Sequence, residues 1–301
     1  DKKSRQMIHR ARRKNKRAII AVVGCYSQIS PGKVSKIEGV DVVLGTRNKG
    51  DIIYFIKKAC LEQNKIIEVG DVLKNRVFED LSIDKYQHRT RAFVKIQDGC
   101  NRFCSYCLIP FARGAVCSKP PSKILEEVEK LAHNNFREIT LSGIHIASYG
   151  TDLKSGWDLM KILEEVDGVS GIERVRIGSI DPKFFTDDVI DRIKKLKKLC
   201  PHFHLSLQSG CDETLRRMNR HYTALEYERI VNELRNKIED VSITTDVIVG
   251  FPGETEDEFN KTYDFLKKMK LSKIHVFKYS PRKGTRAADM KGQIDGKVKE
   301  E

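Results

Sequence analysis

Three cysteines, Cys100, Cys104 and Cys107, fall within eight residues of a 301-residue chain. Their spacing is C-x3-C-x2-C, and they follow directly on the strand-like apolar run 92–96. Cysteine thiolates are the usual ligands of iron–sulfur clusters, so three on one loop can hold three irons of a [4Fe–4S] cluster. No fourth cysteine follows at ferredoxin spacing, which leaves one iron without a protein ligand. An open coordination position marks chemistry rather than structural support. A structural zinc site wants four ligands, and Cys117, ten residues on, completes no familiar pattern. Zinc or unpaired thiols remain the alternatives. A disulfide framework does not suit a long chain with scattered cysteines and no secretory signal.

The elements that must position this loop alternate regularly from residue 91 onward. Strands are expected at 92–96, 138–141, 174–178, 202–207, 243–249 and 273–279, with helices at 118–134, 157–166, 187–199, 225–240 and 256–269. Pro120, Pro121 and Ser122 mark one helix start, and Thr223 is an N-cap for another. Six strands joined by helices suit an open (β/α)6 partial barrel, whose site lies at the carboxyl ends of its strands. The cysteine loop sits at that end of the first strand. An earlier α/β segment has short buried strands at 18–23, 40–44 and 66–69 and helices near 31–37 and 48–62. This pattern implies a small parallel sheet that opens with a basic helix. The expected organisation is a partial α/β domain at 1–70, a linker at 71–90, the barrel at 91–285 and a tail at 286–301.

The three-cysteine spacing, with the aromatic Tyr106 before the last cysteine, resembles the radical S-adenosylmethionine (SAM) enzymes. In that family the open iron chelates SAM, and an electron from the cluster yields a 5′-deoxyadenosyl radical. The strand ends are furnished accordingly, with Gly143 after the second strand, Ser179 after the third and Gln208 after the fourth. A glycine there admits a ligand close to the backbone, and neutral polar side chains can meet ribose, amine and carboxylate. These three residues are the candidate SAM contacts, although each is also compatible with ordinary turn chemistry. Arg113 and Lys119 could meet a phosphate or carboxylate, and surface solvation explains them equally well. His202 and His204 alternate on one strand and face one side, which favours packing or polar lining over a metal. No acid–base residue can be assigned.

The resemblance extends to the methylthiotransferases over nearly the whole chain. Residues 22–28, Val-Val-Gly-Cys-Tyr-Ser-Gln, are similar to the segment that carries the last of three cysteines holding a second [4Fe–4S] cluster, so Cys25 is its expected ligand. The first two of those cysteines have no match, nor has the family's carboxy-terminal RNA-binding TRAM domain, so the chain reads as a fragment. Residues 141–150, 202–212 and 275–280 resemble the branch that installs a methylthio group at adenine C2 of threonylcarbamoyladenosine beside the tRNA anticodon. The resemblance implies an anticodon stem-loop as substrate, a flavodoxin- or ferredoxin-type electron donor, a sulfur source, and a cytoplasmic, monomeric enzyme. Methylthiolation of isopentenyladenosine or of a ribosomal protein stays open as an alternative. So does an iron–sulfur protein that binds RNA or carries electrons without radical chemistry.

The bulk numbers agree. A net charge of +14 points to an anionic partner, and Lys2, Lys3, Arg5, Arg10, Arg12, Arg13, Lys14, Lys16 and Arg17 crowd the first segment. A solvated basic helix would explain that segment as well. No apolar run is long enough for a membrane-spanning helix.

Overall fold

The computed structural model describes residues 2–74, 77–81 and 90–301. The chain divides into two compact units: Asp1–Leu81 with Ile109–Ala115, and Ser82–Leu108 with Val116–Glu301.

In the first unit the order is α1 (Lys2–Lys14), β1 (Ala21–Val23), α2 (Cys25–Ile29), α3 (Pro31–Ser35), β2 (Val42–Leu44), α4 (Ile52–Glu62) and β3 (Ile66–Glu68), joined by α5 (Ile109–Arg113). The strands form a parallel sheet β1-β2-β3, and β2, all Val and Leu, is fully buried at its centre. Helix α1 buries only Ile8 and carries no acid in its first turn. Arg12 anchors it, donating to the carbonyls of Lys16, Ala18 and Gly39 and to Asp41 Oδ2 at 3.0 Å. A Cβ on Gly39 would lie 2.3 Å from Arg12 Nε, so this close approach requires glycine.

In the second unit the strands are β4 (Arg91–Lys95), β5 (Gln97–Asp98), β6 (Cys117–Ser118), β7 (Glu138–Ser142), β8 (Arg174–Ile177), β9 (His202–His204), β10 (Ser242–Val249) and β11 (Lys273–Lys278). Its helices are α6 (Pro121–His133), α7 (Leu159–Gly168), α8 (Asp187–Ile193), α9 (Asp212–Arg217), α10 (Ala224–Lys237) and α11 (Glu256–Met269). Parallel ladders run β4-β7-β8 and β9-β10-β11. Parallel bridges Val175↔Leu199 and Ile180↔Leu205 join the two. The six long-range strands therefore lie in sequence order, with β4 and β11 as edges, as an open parallel barrel requires.

Side-chain alternation divides this sheet into two faces. Ala92, Val94, Ile139, Leu141, Val175, Ile177, Phe203, Leu205, Ile243 and Val247 are buried against the helices. The helices answer at helical spacing, with Ile124, Val128 and Leu131 on α6 and Tyr227, Ile230, Val231 and Leu234 on α10. The other face carries Arg91, Phe93, Thr140, Arg176, His204, Thr244, Asp246, His275 and Phe277, a concave polar surface with two phenylalanines.

Several boundaries differ from expectation. The fourth barrel strand stops at His204, because Leu205 and Gln208 pair only through single bridges, and Gln208 takes φ +73°. Helix α8 ends at Ile193, six residues early. Ser118 belongs to β6, which pairs antiparallel with β5, so α6 begins only at Pro121. Helix α9 is an extra element between β9 and α10. Thr223 caps α10 within a complete capping box closed by Glu226. The linker expected at 71–90 lies outside the described residues at 75–76 and 82–89. The last residues pack on the second unit: Gly253 N–H donates to Gly292 O at 2.9 Å, and Lys299 Nζ lies 5.2 Å from the Tyr279 ring centre. Among the described residues, no helix is long and apolar enough to cross a membrane.

Across the strand starts, Glu138 is held by Arg91 at 2.6 Å, Arg174 at 3.0 Å and Arg176 at 2.9 Å. Burial opposes its charge, but hydrogen bonds from Arg174 and Arg176 outweigh it and hold the carboxyl below its ordinary value. The stabilisation is therefore present above the unfolded carboxylate pKa of about 4.3 and lost as pH falls through the lowered folded value. Glu138→Gln, which leaves three partly solvated guanidiniums facing no carboxylate, is expected to lose roughly 1–3 kcal/mol in urea unfolding at pH 7. The gap from wild type should shrink from about pH 4 downward.

Candidate functional site

The cysteine loop opens at Gly99, whose φ of +71° turns the chain out of β5. Cys100, Cys104 and Cys107 are all half-buried. Their loop has no core of its own, so hydrogen bonds shape it. The Gln97 side chain, fully buried, donates to the carbonyls of Asp98 and Gly99, each at 2.7 Å, and accepts from His145 N–H at 2.8 Å. Asn219 Nδ2 donates to Arg102 O at 3.3 Å and Phe103 O at 3.0 Å, fixing Phe103 in the left-handed region at φ +49°. Ser105 donates its N–H to Met218 O and its hydroxyl to Arg217 O, and its own carbonyl accepts from Ala287 N–H. Tyr106 then meets Phe251 edge-on, at 6.3 Å between ring centres.

Charge around the loop is arranged with equal care. Arg102 N–H donates to Cys100 Sγ at 3.4 Å, and Arg220 Nη1 donates to Cys104 Sγ at 3.5 Å. Arg220 also donates to Ser206 O and to the Tyr222 hydroxyl, and its guanidinium lies 4.9 Å from the Tyr222 ring centre. Burial opposes its charge, but Tyr222, Tyr106, Cys104 and Asp181 raise its pKa, so it stays a cation. Asp181 is buried, yet His145 and Arg220 hold it ionised with a pKa of about 2. His145 Nε2 lies 3.4 Å from Asp181 Oδ2, and Arg102 Nη2 lies 4.0 Å from the same oxygen. Burial pushes the Cys100 thiol up, so its thiolate needs a compensating positive charge such as a metal provides.

Gly143, Ser179 and Gln208 stand at the carboxyl ends of β7, β8 and β9, the same end as the cysteine loop. Ser179 is exposed and pairs with Ser206, hydroxyl to hydroxyl, at 2.7 Å. Gln208 N–H donates to Asp246 O, and its carbonyl accepts from Ile248 N–H. Gly143 has a further role: a Cβ there would lie 2.8 Å from Ile146 Cγ2 and 2.9 Å from Gln97 Oε1, so its bareness admits the clamp residue. Cys25, in the first unit, follows β1 at the start of α2, after Gly24 at φ +114°.

Lys119 is not a surface group: it is buried and paired with Glu127 at 2.6 Å, which removes it as an anion ligand. Arg113 lies in the first unit, on α5. His202 and His204 line the concave face, where His204 Nε2 lies 3.2 Å from Asp246 and Nδ1 lies 2.9 Å from the Thr244 hydroxyl. Cys211 donates its S–H to Glu213 at 2.9 Å. Nothing in the local sequence announces the roles of Gln97, Asn219 and Arg220, and the contacts of the latter two reach more than a hundred positions along the chain. A cavity of about 500 Å³ between α8 and α10 reaches Phe203, at the amino end of β9 and away from this rim.

The sequence signature of the Radical SAM superfamily matches residues 94–266. Threonylcarbamoyladenosine tRNA methylthiotransferase MtaB of Bacillus subtilis is 43% identical over all of this chain and 67% of its own length. Its namesake from Aquifex aeolicus is 38% identical over all of this chain and 73% of its own length. The chain belongs to the radical SAM methylthiotransferases. A tRNA-2-methylthio-N(6)-dimethylallyladenosine synthase from Clostridium tetani is 41% identical over 95% of this chain and 63% of that protein. Among solved structures, the radical SAM methyltransferase TsrM of Kitasatospora setae shares the fold with a TM-score of 0.69 and 14% identity, over 91% of this chain and 57% of that one.

This superfamily works with SAM and a [4Fe–4S] cluster, and the methylthiotransferase loop fits one. It offers three half-buried thiols, with N–H donors aimed at two of the sulfurs, as cluster sulfurs require. Gln97→Ala leaves two carbonyls and one N–H without their partner, at about 1–3 kcal/mol for each buried group. Iron incorporation after anaerobic reconstitution is expected to drop, while wild-type protein fills. Arg220→Gln removes a cation and an N–H···S bond, so the reduction potential of the cluster should become more negative in a redox titration.

Proposed function

We propose that this enzyme methylthiolates C2 of N6-threonylcarbamoyladenosine beside the tRNA anticodon. The observation that carries the reading is the clamped three-cysteine loop at the rim of an open barrel, in a chain 43% identical to a threonylcarbamoyladenosine tRNA methylthiotransferase. The chemistry supplied by the bound cluster and SAM is reductive cleavage to a 5′-deoxyadenosyl radical, the agent of C–H activation.

The chain's own residues have binding, orienting and electrostatic tasks. Cys100, Cys104 and Cys107 hold the cluster. Arg220, half-buried beside Cys104, suits the SAM carboxylate, and Gly143, Ser179 and Gln208 offer backbone and neutral polar contacts to its amino acid and ribose. The half-buried sheet face keeps water from a reactive centre and fixes the reacting base. Cys25 is the ligand that this chain gives to a second cluster, the site of the sulfur to be transferred. The domain reading assigns that task to residues 1–70 and the radical step to 91–285. The exposed basic residues of α1, Arg12 excepted, meet tRNA phosphates. An external low-potential electron donor and a sulfur source complete the partners, in the cytoplasm with the tRNA.

Mass spectrometry of tRNA nucleosides tests the reading. A strain lacking the gene should accumulate threonylcarbamoyladenosine without its methylthio form. Loss of methylthio-isopentenyladenosine instead would transfer the activity to the other tRNA branch. In full-length protein, Cys25→Ala should still release 5′-deoxyadenosine from SAM yet transfer no methylthio group, whereas Cys104→Ala should do neither.

A further inference from the structure

The concave sheet face is polar along most of its length, with charged, hydroxyl and imidazole side chains at nearly every position. Three residues break the pattern: Ile248 on β10, which packs on the cluster of Met218, Phe251 and Tyr279, and two exposed phenylalanines. Phe93 on β4 is 51% exposed and Phe277 on β11 is 53% exposed. Their registers fix the side they occupy. Phe93 pairs with Thr140, and that residue with Arg176, while its chain neighbours Ala92 and Val94 are buried in the helix-facing core. Phe277 pairs with Ile248, two positions beyond the Asp246↔His275 pair whose side chains face His204.

These two strands are the edges of the open sheet, so each phenylalanine flanks the side on which the barrel does not close. An aromatic ring left half in water on an otherwise polar face gains most from a flat apolar partner. A nucleobase is such a partner, because every base offers a π-face whatever its substituents. Enzymes that modify a base first take it out of its stack and compensate with stacking inside the site.

We propose that Phe93 and Phe277 are the stacking surfaces for the target adenine when it turns into the barrel through its open side. The inference rests on the reading of the chain as a tRNA methylthiotransferase and adds the residues that position its base. Both rings are positioning residues that read the adenine plane and not its N6 substituent. The same contacts therefore serve an adenosine with either a threonylcarbamoyl or a dimethylallyl group.

The test uses the full-length holoenzyme with anticodon stem-loops carrying the modified adenosine, and binding of the same RNA with 2-aminopurine at that position. Phe93→Leu and Phe277→Leu keep apolar bulk and remove the π-face. Each should raise KM for the stem-loop roughly tenfold with little change in kcat, and weaken the 2-aminopurine stacking signal. Phe93→Tyr and Phe277→Trp should retain both. Unchanged KM and fluorescence in the leucine variants would overturn the proposal, as would a defect that the aromatic variants share. SAM carries an adenine of its own, so a loss confined to SAM affinity would also overturn it. If the wild-type enzyme methylthiolates no stem-loop, the functional reading falls first. If it does and the leucine variants match it, only this inference falls.

Discussion

A loop that must present three thiolates cannot be held by apolar packing alone, because its backbone groups need partners as much as its sulfurs need a metal. Here those partners come from outside the loop. Gln97 ties its start to the rim turn at His145, and Asn219 and Ser105 tie its middle to the segment that follows α9. The Gln97 clamp satisfies buried carbonyls that would otherwise carry a desolvation penalty, so loop shape and protein stability are coupled. The bareness of Gly143 and the left-handed turn at Gly99 are the steric conditions for that clamp.

Electrostatics builds on the same frame. Arg220 reaches Cys104 from one side and Ser206 from another, so a single half-buried cation joins the cysteine loop to the strand-end surface. Asp181, held ionised by the His145 hydrogen bond and by Arg220, supplies the compensating negative charge, and its burial makes that charge effective at short range. Beneath the rim the strands keep their apolar residues for the helices and their polar residues for the concave face. That division gives a methylthiotransferase barrel its chemistry without weakening its core.

The sequence announces whatever depends on short-range pattern. The C-x3-C-x2-C loop, the apolar strands, the N-cap at Thr223 and the rim positions of Gly143, Ser179 and Gln208 all follow from spacing and residue type. What it conceals depends on contacts between distant segments. The bond from Arg220 to Cys104 spans 116 positions, and Lys119 reads as a surface lysine until Glu127 is found beside it in the interior. The short β9 escapes prediction because the run 202–207 is strand-like throughout, while the tertiary turn at Gln208 decides where regular pairing stops. The β5–β6 pair is two residues long, below the reach of any periodicity.

In the proposed mechanism Cys100, Cys104 and Cys107 leave one iron open for SAM. Electron–nuclear spectroscopy of the reduced, reconstituted enzyme with SAM labelled with nitrogen-15 at its amino group addresses it directly. The label should show a hyperfine coupling to the cluster spin, the sign of direct coordination. A well-formed cluster with no such coupling would contradict it.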